Sequence, residues 1–159
     1  MDNPFPGLLD SITSTKSALV APLVLAPGGT IEDSVRRFPN FQRLVTRLFI
    51  EQGSDYPLAQ EQAPVFPDWV AGMFMLFRAE DFARLRGFDE GFRLYYEDVD
   101  ICVRTWKMGR PVSVCPQVSV IHDAQRTSRR NLRYMRWHLA SMARYLLKHW
   151  GRLPVVQAK

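Results

Sequence analysis

Acidic side chains are concentrated in one short stretch of the chain. Glu97, Asp98 and Asp100 lie within the segment YYEDVDICVRTWKMG, and Asp89 and Glu90 precede it closely. Free N–H groups and the helix dipole favour the ionised form of a carboxylate at a helix start, whereas repulsion between adjacent carboxylates opposes it. A carboxylate held there could act as a general base toward a hydroxyl, if the geometry of the substrate allows. The Asp98-x-Asp100 spacing could also hold a divalent metal through oxygen ligands. A third alternative is an ordinary capped helix start. The residues alone leave all three open.

Two other residues have side chains that could take part in chemistry. His122 ends a strand-like segment beside Asp123, and an imidazole there could bind a metal or accept a proton. Trp69 follows Pro67-Asp68, and its ring could stack on a sugar. Both side chains also occur as packed structural residues, and one sequence does not separate these alternatives.

Apolar periodicity predicts the elements that position these residues. Residues 99–106 carry apolar side chains at i, i+3, i+4 and i+7, which predicts a helix that Gly109 and Pro111 end. Apolar, β-prone runs predict strands at 17–25, 69–78, 111–115 and 117–123. Helical spacing predicts further helices at 41–52, 79–87 and 128–150, whereas 53–68 has three prolines and no period and is predicted to be a mobile loop. This alternation of strands and helices indicates an α/β fold.

Composition and charge narrow the class of protein. The 159 residues are 47% hydrophobic and 23% charged, which is typical of one soluble globular domain. No apolar run is long enough to span a bilayer, and the first residues do not resemble a signal peptide. Cys102 and Cys115 lie in apolar surroundings without metal-type spacing, so we expect reduced thiols and a cytoplasmic location.

The C-terminal end is strongly basic. Nine of the 21 Lys and Arg residues lie from Arg126 onward, and no acidic residue follows Asp123. In the predicted final helix, one side carries Leu132, Met135, Leu139, Met142, Leu146 and Trp150, and the adjoining side carries Arg129, Arg130, Arg133, Arg136, Arg144 and Lys148. This arrangement suggests an anionic partner for 126–152: lipid headgroups, phosphates or nucleic acid. A solvated basic face without a specific partner is the alternative.

Taken together, the motifs resemble the C-terminal half of the family 2 glycosyltransferase catalytic domain, of the GT-A type. The nearest branch comprises bacterial rhamnosyltransferases and related enzymes of surface-polysaccharide assembly. The matching residues keep the order and spacing of the family: Trp69-x-x-Gly72, Arg78, Gly87-Phe88-Asp89-Glu90, Tyr96-Glu97-Asp98-x-Asp100, Arg104, Gly109, Pro116 and His122. The resemblance covers most of the chain.

The resemblance implies a role for each matching position. Asp98 would be the catalytic base of an inverting sugar transfer, with Glu97 and Asp100 orienting the acceptor and bracing the helix start. Trp69 would contact the acceptor, Gly72 would allow close approach of the backbone, and Arg104 would support the site. His122 would help to hold a divalent metal, Mg²⁺ or Mn²⁺, that neutralises the diphosphate leaving group. On this basis Asp98-x-Asp100 belongs to the acceptor side and is not the metal site.

The resemblance also implies that the nucleotide-binding half of such an enzyme is missing. We therefore expect one partial domain at 1–159. Residues 1–52 would flank the missing half, 69–123 would form the acceptor and base core, and 124–159 would form the basic helix and tail. The partners would be a nucleotide-sugar donor, bound through the missing half, and a saccharide or lipid-linked acceptor. The isolated chain would turn over little and would tend to self-associate, because its sheet has an unpaired edge.

Three classes of function remain to be weighed. The first is the acceptor-binding half of an inverting glycosyltransferase, peripheral on the inner face of the cytoplasmic membrane and transferring a sugar such as rhamnose. The second is a non-catalytic partner that pairs with another chain. The third is a basic nucleic-acid-binding module, which the absence of a recognised motif and the unexplained acidic stretch disfavour.

Overall fold

The fold was taken from a computed structural model, which describes residues 3–49, 55–60, 62–123 and 132–156. The helices are α1 Phe5–Ser14, α2 Phe41–Phe49, α3 Ala79–Arg84, α4 Glu97–Lys107 and α5 Leu132–His149. The strands are β1 Leu19–Leu25, β2 Val35–Arg36, β3 Trp69–Val70, β4 Leu76–Phe77 and β5 Val112–Ile121. The order is mixed α/β, as predicted. In the described part of the chain, no helix is both long and apolar enough to cross a membrane.

The central sheet is built around β1. Its neighbours are β5, which runs parallel to it, and β4, which runs antiparallel. All seven residues of β1 are buried, because side chains on both faces of the strand are covered. Leu19 and Ala21 face the larger apolar cluster that includes α4, whereas Val20 faces Leu8 and Ile12 of α1. The predicted buried strand is therefore present.

One strand, β5, occupies the region where strands were predicted at 111–115 and 117–123. In the parallel pairing, Pro22 lies opposite Cys115 and Leu23 lies opposite Ser119, so residues 116–118 bulge out of the ladder. Pro116 has no N–H to donate, which explains why the ladder is interrupted there. The bulge contacts α1, since a Cβ on Gly7 would come within 2.7 Å of Val118 Cγ2.

The predicted strand at 69–78 is wrong, because this segment forms two short strands in different sheets. β3 pairs with β2, and β4 pairs with β1. The backbone turns between them, and the N–H of Gly72 bonds to the side chain of Asp98 instead of a neighbouring strand. Apolar composition alone did not show this turn. It brings β3 against the start of α4.

The loop at 53–68 is irregular in its described residues, as predicted, apart from a single β-bridge between Val65 and Val114. Contacts hold it to the core. The hydroxyl of Tyr56 donates to Asp68 over 3.0 Å, and the indole N–H of Trp106 donates to the Asp68 carbonyl over 3.0 Å.

Helix α5 confirms the predicted helix over its described residues but buries a different face. Its buried side chains are Ser141, Tyr145 and His149. Much of the predicted apolar stripe is exposed, namely Leu132, Met135, Leu139 and Trp150, whereas Met142 and Leu146 are half-buried against the core. Polar contacts set this orientation, since Ser141 Oγ donates to the Leu94 carbonyl over 2.7 Å. The predicted basic residues Arg129 and Arg130 lie outside the described residues.

Candidate active site

A cavity of about 640 Å³ opens over the start of α4. Its walls come from the end of β2, the start of α2, β3, α4 and α5. Asp98 and Trp69 line it together with Arg36, Arg37, Pro39, Phe41, Arg43, Leu44, Val45, Tyr95, Tyr96, Val99, His138, Leu139, Met142 and Leu146. This volume lies within the range of about 300–1,000 Å³ that is common for small-molecule sites. The fold thus places the predicted base and the predicted acceptor-contacting ring in one cavity.

Asp98 is held by two backbone donors. Its Oδ2 accepts the Gly72 N–H at 2.9 Å, and its Oδ1 accepts the Val99 N–H at 2.8 Å. Burial raises the pKa of this carboxyl above its usual value, although the two N–H groups and the charge of Arg36 act in the opposite direction. A raised pKa makes a carboxylate a better proton acceptor near neutral pH. The position therefore suits a general base.

Asp100 lies two residues further along α4 in a contrasting environment. Its side chain is fully buried, and it accepts from Arg104 Nε at 2.7 Å, Lys148 Nζ at 2.7 Å and His149 Nε2 at 2.8 Å. Burial raises the pKa of Asp100, but the bonds to His149, Lys148 and Arg104 outweigh it, so the pKa is lowered. Neighbouring carboxyls whose pKa values are driven apart have different roles. Asp100 is thus an ionised structural anchor at neutral pH.

Arg104 also lies outside the cavity. Besides its ion pair with Asp100, its Nη1 donates to the Leu85 carbonyl at 2.6 Å and its Nη2 donates to the Gly87 carbonyl at 2.9 Å. The guanidinium therefore ties α4 to the turn after α3. Asp100 and Arg104 fit the supporting part of the prediction but not direct contact with an acceptor.

Asp89, from the Gly87-Phe88-Asp89-Glu90 motif, is paired with basic side chains of α5. It pairs with Lys148 Nζ at 2.7 Å and with Arg144 Nη2 at 3.1 Å. The hydrogen bond from Lys148 is the main reason that the pKa of Asp89 is well below its usual range. Arg144 and Lys148, two of the six side chains predicted on the basic side of α5, thus form intramolecular ion pairs that hold α5 against the acidic stretch.

The backbone just before α4 is strained. Tyr95 and Tyr96 both have positive φ angles, 65° and 69°, a region that bulky residues seldom adopt. Such strain costs roughly 1–3 kcal/mol for each residue and persists only where the surroundings enforce it. The ring of Tyr96 lies 5.3 Å from that of Tyr145 and 5.5 Å from that of His138, centroid to centroid. This packing turns the chain so that Asp98 lies at the cavity floor.

Trp69, Gly72 and Glu97 surround Asp98 in different ways. The Trp69 indole N–H donates to the Arg37 carbonyl at 2.9 Å, which fixes the ring in the cavity wall. A Cβ at Gly72 would lie 3.6 Å from Asp98 Cβ, an ordinary van der Waals contact, so the packing here does not require glycine. Burial, and then repulsion from Asp98, raise the pKa of Glu97, and its Oε2 is buried without a hydrogen-bond partner among the described residues.

His122 lies apart from this cavity, at the end of β5. Its backbone N–H donates to the Leu25 carbonyl at 2.9 Å, and its buried Nδ1 has no partner among the described residues. A ring nitrogen without a hydrogen-bond partner could serve as one ligand of a metal ion. No group of three His, Cys, Asp or Glu side chains suited to a metal occurs within 3–49, 55–60, 62–123 and 132–156. The described residues therefore do not form a metal site by themselves.

Comparison with known proteins finds relatives that are named as rhamnosyltransferases. No protein-family model matches the chain. The rhamnosyltransferase WbbL of Escherichia coli (strain K12) is 35% identical over 117 residues, which cover 72% of this chain and 44% of WbbL. The N-acetylglucosaminyl-diphospho-decaprenol L-rhamnosyltransferase of Mycobacterium tuberculosis is 28% identical over 94% of this chain and 54% of its own length. The chain is a homologue of bacterial rhamnosyltransferases.

This homology confirms the inferred resemblance to bacterial rhamnosyltransferases. The chain spans about half the length of the curated rhamnosyltransferases that it matches. The cavity around Asp98 is formed by residues within the half that this chain spans.

Sequence reasoning missed the basic wall of the cavity. Arg36, Arg37 and Arg43 all line it, and Arg36 lies over the Trp69 ring at 5.7 Å. The available signal was the paired arginine in VRRFPNFQR, whose residues lie far from Asp98 in sequence. Only the pairing of β2 with β3 brings them to the site.

Proposed function

We propose that this chain is the acceptor-binding, base-carrying part of an inverting rhamnosyltransferase of the GT-A type. The observation that carries the proposal is the position of Asp98. Its carboxyl lies in a cavity of ligand size with a raised pKa, whereas Asp100, two residues away, is locked in ion pairs. The rhamnosyltransferase names of the relatives support the choice of sugar.

The reaction follows from a base that faces an acceptor hydroxyl. Asp98 takes the hydroxyl proton while the acceptor oxygen attacks the anomeric carbon of a nucleotide-activated rhamnose. The new glycosidic bond forms as the bond from that carbon to the diphosphate breaks, and the nucleoside diphosphate leaves with the bonding electrons. One direct displacement inverts the anomeric configuration. Glu97 does not line the cavity, and its Oε2 is buried, so the role that we propose for it is to brace the start of α4.

The acceptor class follows from the cavity and from the mycobacterial relative. That relative is named for an acceptor in which a sugar is joined to a polyprenol through a diphosphate. We propose an acceptor of the same class for this chain: a sugar hydroxyl at Asp98, on a saccharide carried by a diphospho-lipid. The Trp69 ring forms part of the same wall and would contact the acceptor sugar.

The donor side belongs to the part of the relatives that this chain does not span. We propose that the nucleotide-binding residues, and the partners of His122 around Mg²⁺ or Mn²⁺, lie there. A bound divalent cation would stabilise negative charge on the leaving diphosphate. The isolated chain would then transfer little sugar, and a polypeptide that joins it to a donor-binding half would be active.

Exposed residues of α5 support contact with an anionic membrane surface. Leu132, Met135 and Leu139 are at least half exposed, and Arg133 and Arg136 are exposed beside them. Apolar side chains flanked by arginines favour anionic lipid interfaces. Vesicles with anionic lipid should co-sediment the chain more than neutral vesicles do, and equal sedimentation with both would contradict membrane contact.

The proposed function is tested by measuring transfer. Nucleotide-activated rhamnose and an N-acetylglucosaminyl-diphospho-lipid are incubated with the chain joined behind the N-terminal half of the E. coli relative. Rhamnosylated lipid is expected with this protein and not with D98N. Transfer that survives in D98N would refute Asp98 as the base, and absence of transfer to the acceptor lipid would refute the proposed function.

A further inference from the structure

A second cavity adjoins the one that contains Asp98. Its volume is about 390 Å³, and it lies between the start of α2 and the end of α5. We call it the apolar slot, because its walls are mostly apolar and come mainly from Pro39, Phe41, Tyr145, Leu146, Trp150 and Leu153. Pro39, Phe41 and Leu146 line both cavities, so the two share a wall. A ligand in one could extend into the other.

The segment 36–43 borders both cavities and carries three arginines. Arg36, Arg37 and Arg43, which we call the arginine wall, line the Asp98 cavity, whereas Asn40 and Gln42 line the apolar slot. Asn40 Oδ1 accepts the Arg43 N–H at 2.8 Å, so the start of α2 is capped and Arg43 is fixed in its first turn. The positive charge thus lies along the segment that joins the two cavities.

The charge of the arginine wall is only partly balanced by acidic residues. Arg36 pairs with Asp33 at 2.8 Å, and Arg43 pairs with Asp55 at 3.1 Å. Arg37 lies over the Tyr56 ring at 5.7 Å and forms no ion pair within the described part of the chain. The buried Nε of Arg36 has no acceptor among the described residues. A buried donor without an acceptor is unfavourable, and a phosphate oxygen would satisfy it.

We infer that the arginine wall binds the diphosphate of the acceptor and that the apolar slot holds the first part of its isoprenoid chain. This inference rests on the proposed function. A diphospho-lipid sugar has three parts in a fixed order: sugar, diphosphate and apolar chain. The surfaces around the two cavities offer a base, a cationic wall and an apolar slot. A nucleotide sugar also has a diphosphate, but it has no apolar chain and would leave the slot empty.

Binding to the full chain tests the inference by calorimetry. Four probes separate the two sources of diphosphate: farnesyl diphosphate, farnesyl monophosphate, farnesol and thymidine diphosphate. Farnesyl diphosphate should bind at least tenfold more tightly than the monophosphate or thymidine diphosphate. R37Q should weaken its binding about tenfold, as expected for the loss of one charge-assisted bond. R84Q removes an exposed arginine on α3 that does not line either cavity, and it should leave binding unchanged.

The apolar slot has its own matched pair of variants. Trp150 lines the slot, whereas Leu147 is 79% exposed and does not line it. W150A should weaken both farnesyl diphosphate and farnesol several-fold, and L147A should weaken neither. Circular dichroism of each variant should match that of the parent chain, since both side chains are mainly exposed.

Two results would overturn the inference. One is thymidine diphosphate that binds as tightly as farnesyl diphosphate and depends on Arg37, which would assign the wall to the donor. The other is no measurable binding of farnesyl diphosphate. The outcome is separable from that of the proposed function. If farnesyl diphosphate binds in an Arg37-dependent way but the completed enzyme transfers no rhamnose, only the proposed function is refuted. If the completed enzyme transfers rhamnose but farnesyl diphosphate does not bind, only the inference is refuted.

Discussion

Replacing Asp100 with asparagine should destabilise the protein strongly. The side chain is fully buried and accepts from Arg104, Lys148 and His149 within 2.7–2.8 Å. Removing one member of a buried ion pair typically costs about 3–5 kcal/mol, because the partner charge stays buried. Two features reduce that cost: Lys148 keeps Asp89 at 2.7 Å, and Arg104 keeps two carbonyl acceptors. We therefore expect a loss of about 2–4 kcal/mol in the free energy of unfolding.

The matched control is the same substitution two residues earlier. Asp98 accepts only two backbone N–H groups, and asparagine offers one acceptor oxygen in place of two, so one N–H loses its partner. Because burial opposes the ionisation of Asp98, part of this loss is offset, and D98N should cost about 1 kcal/mol in the free energy of unfolding. Urea unfolding followed by circular dichroism measures both variants at neutral pH. A typical domain has about 5–15 kcal/mol of stability, so the expected difference is readily measured. Equal losses in D98N and D100N would refute the assignment of Asp98 to chemistry and Asp100 to structure.

Three further predictions concern stability. Asp89 and Asp100 have lowered pKa values, so their charges stabilise the fold above the usual carboxyl pKa of about 4, and this stability is lost as the pH falls below that value. The urea midpoint of the parent chain should therefore drop on acidification, and the midpoint of D100N should drop less. The raised pKa of Asp98 acts in the opposite sense: parent-chain stability relative to D98N should decline as the pH rises from about 4, and a rising difference would contradict the burial argument. Arg78 donates to the backbone carbonyls of Ile12 and Ser17, both at 3.0 Å, so R78A should lower the free energy of unfolding by about 1–3 kcal/mol, measured with urea. An equal loss in R84A, on the exposed face of α3, would contradict this reason.

The sequence predicted correctly the elements whose pattern of apolar residues lies within the element itself. The apolar run of β1 and the helical spacing of α4 each lie within a dozen residues, and both elements occur where expected. The residue that caps the start of α4 was not predicted from the local pattern. Tyr96 occupies that position in a left-handed conformation without a side-chain cap, and tertiary packing of its ring stabilises it.

Two features that the sequence did not predict depend on contacts between residues far apart along the chain. The contrast between Asp98 and Asp100 depends on Lys148 and His149, which are about fifty residues away along the chain. The buried face of α5 follows the same contacts, so the apolar stripe that periodicity favours lies largely at the surface. A polar anchor in a helix that is otherwise amphipathic leaves no periodic signal.

The prediction that Asp98 is the base came only from the family resemblance. Residue spacing alone left a base, a metal ligand and a helix cap as open alternatives for the carboxylates of α4. The geometry now distinguishes the two aspartates by their partners, and the arginine wall adds a feature that no local motif contained.

The most direct test of the central claim compares the rate of rhamnosyl transfer by the completed enzyme with that of its D98N variant. General-base catalysis contributes typically about 10²–10⁴-fold, so D98N should lose at least a hundredfold in kcat while it stays folded, with a urea midpoint well above that of D100N. A D98N enzyme that folds normally and transfers rhamnose within tenfold of the parent rate would contradict the claim that Asp98 is the base.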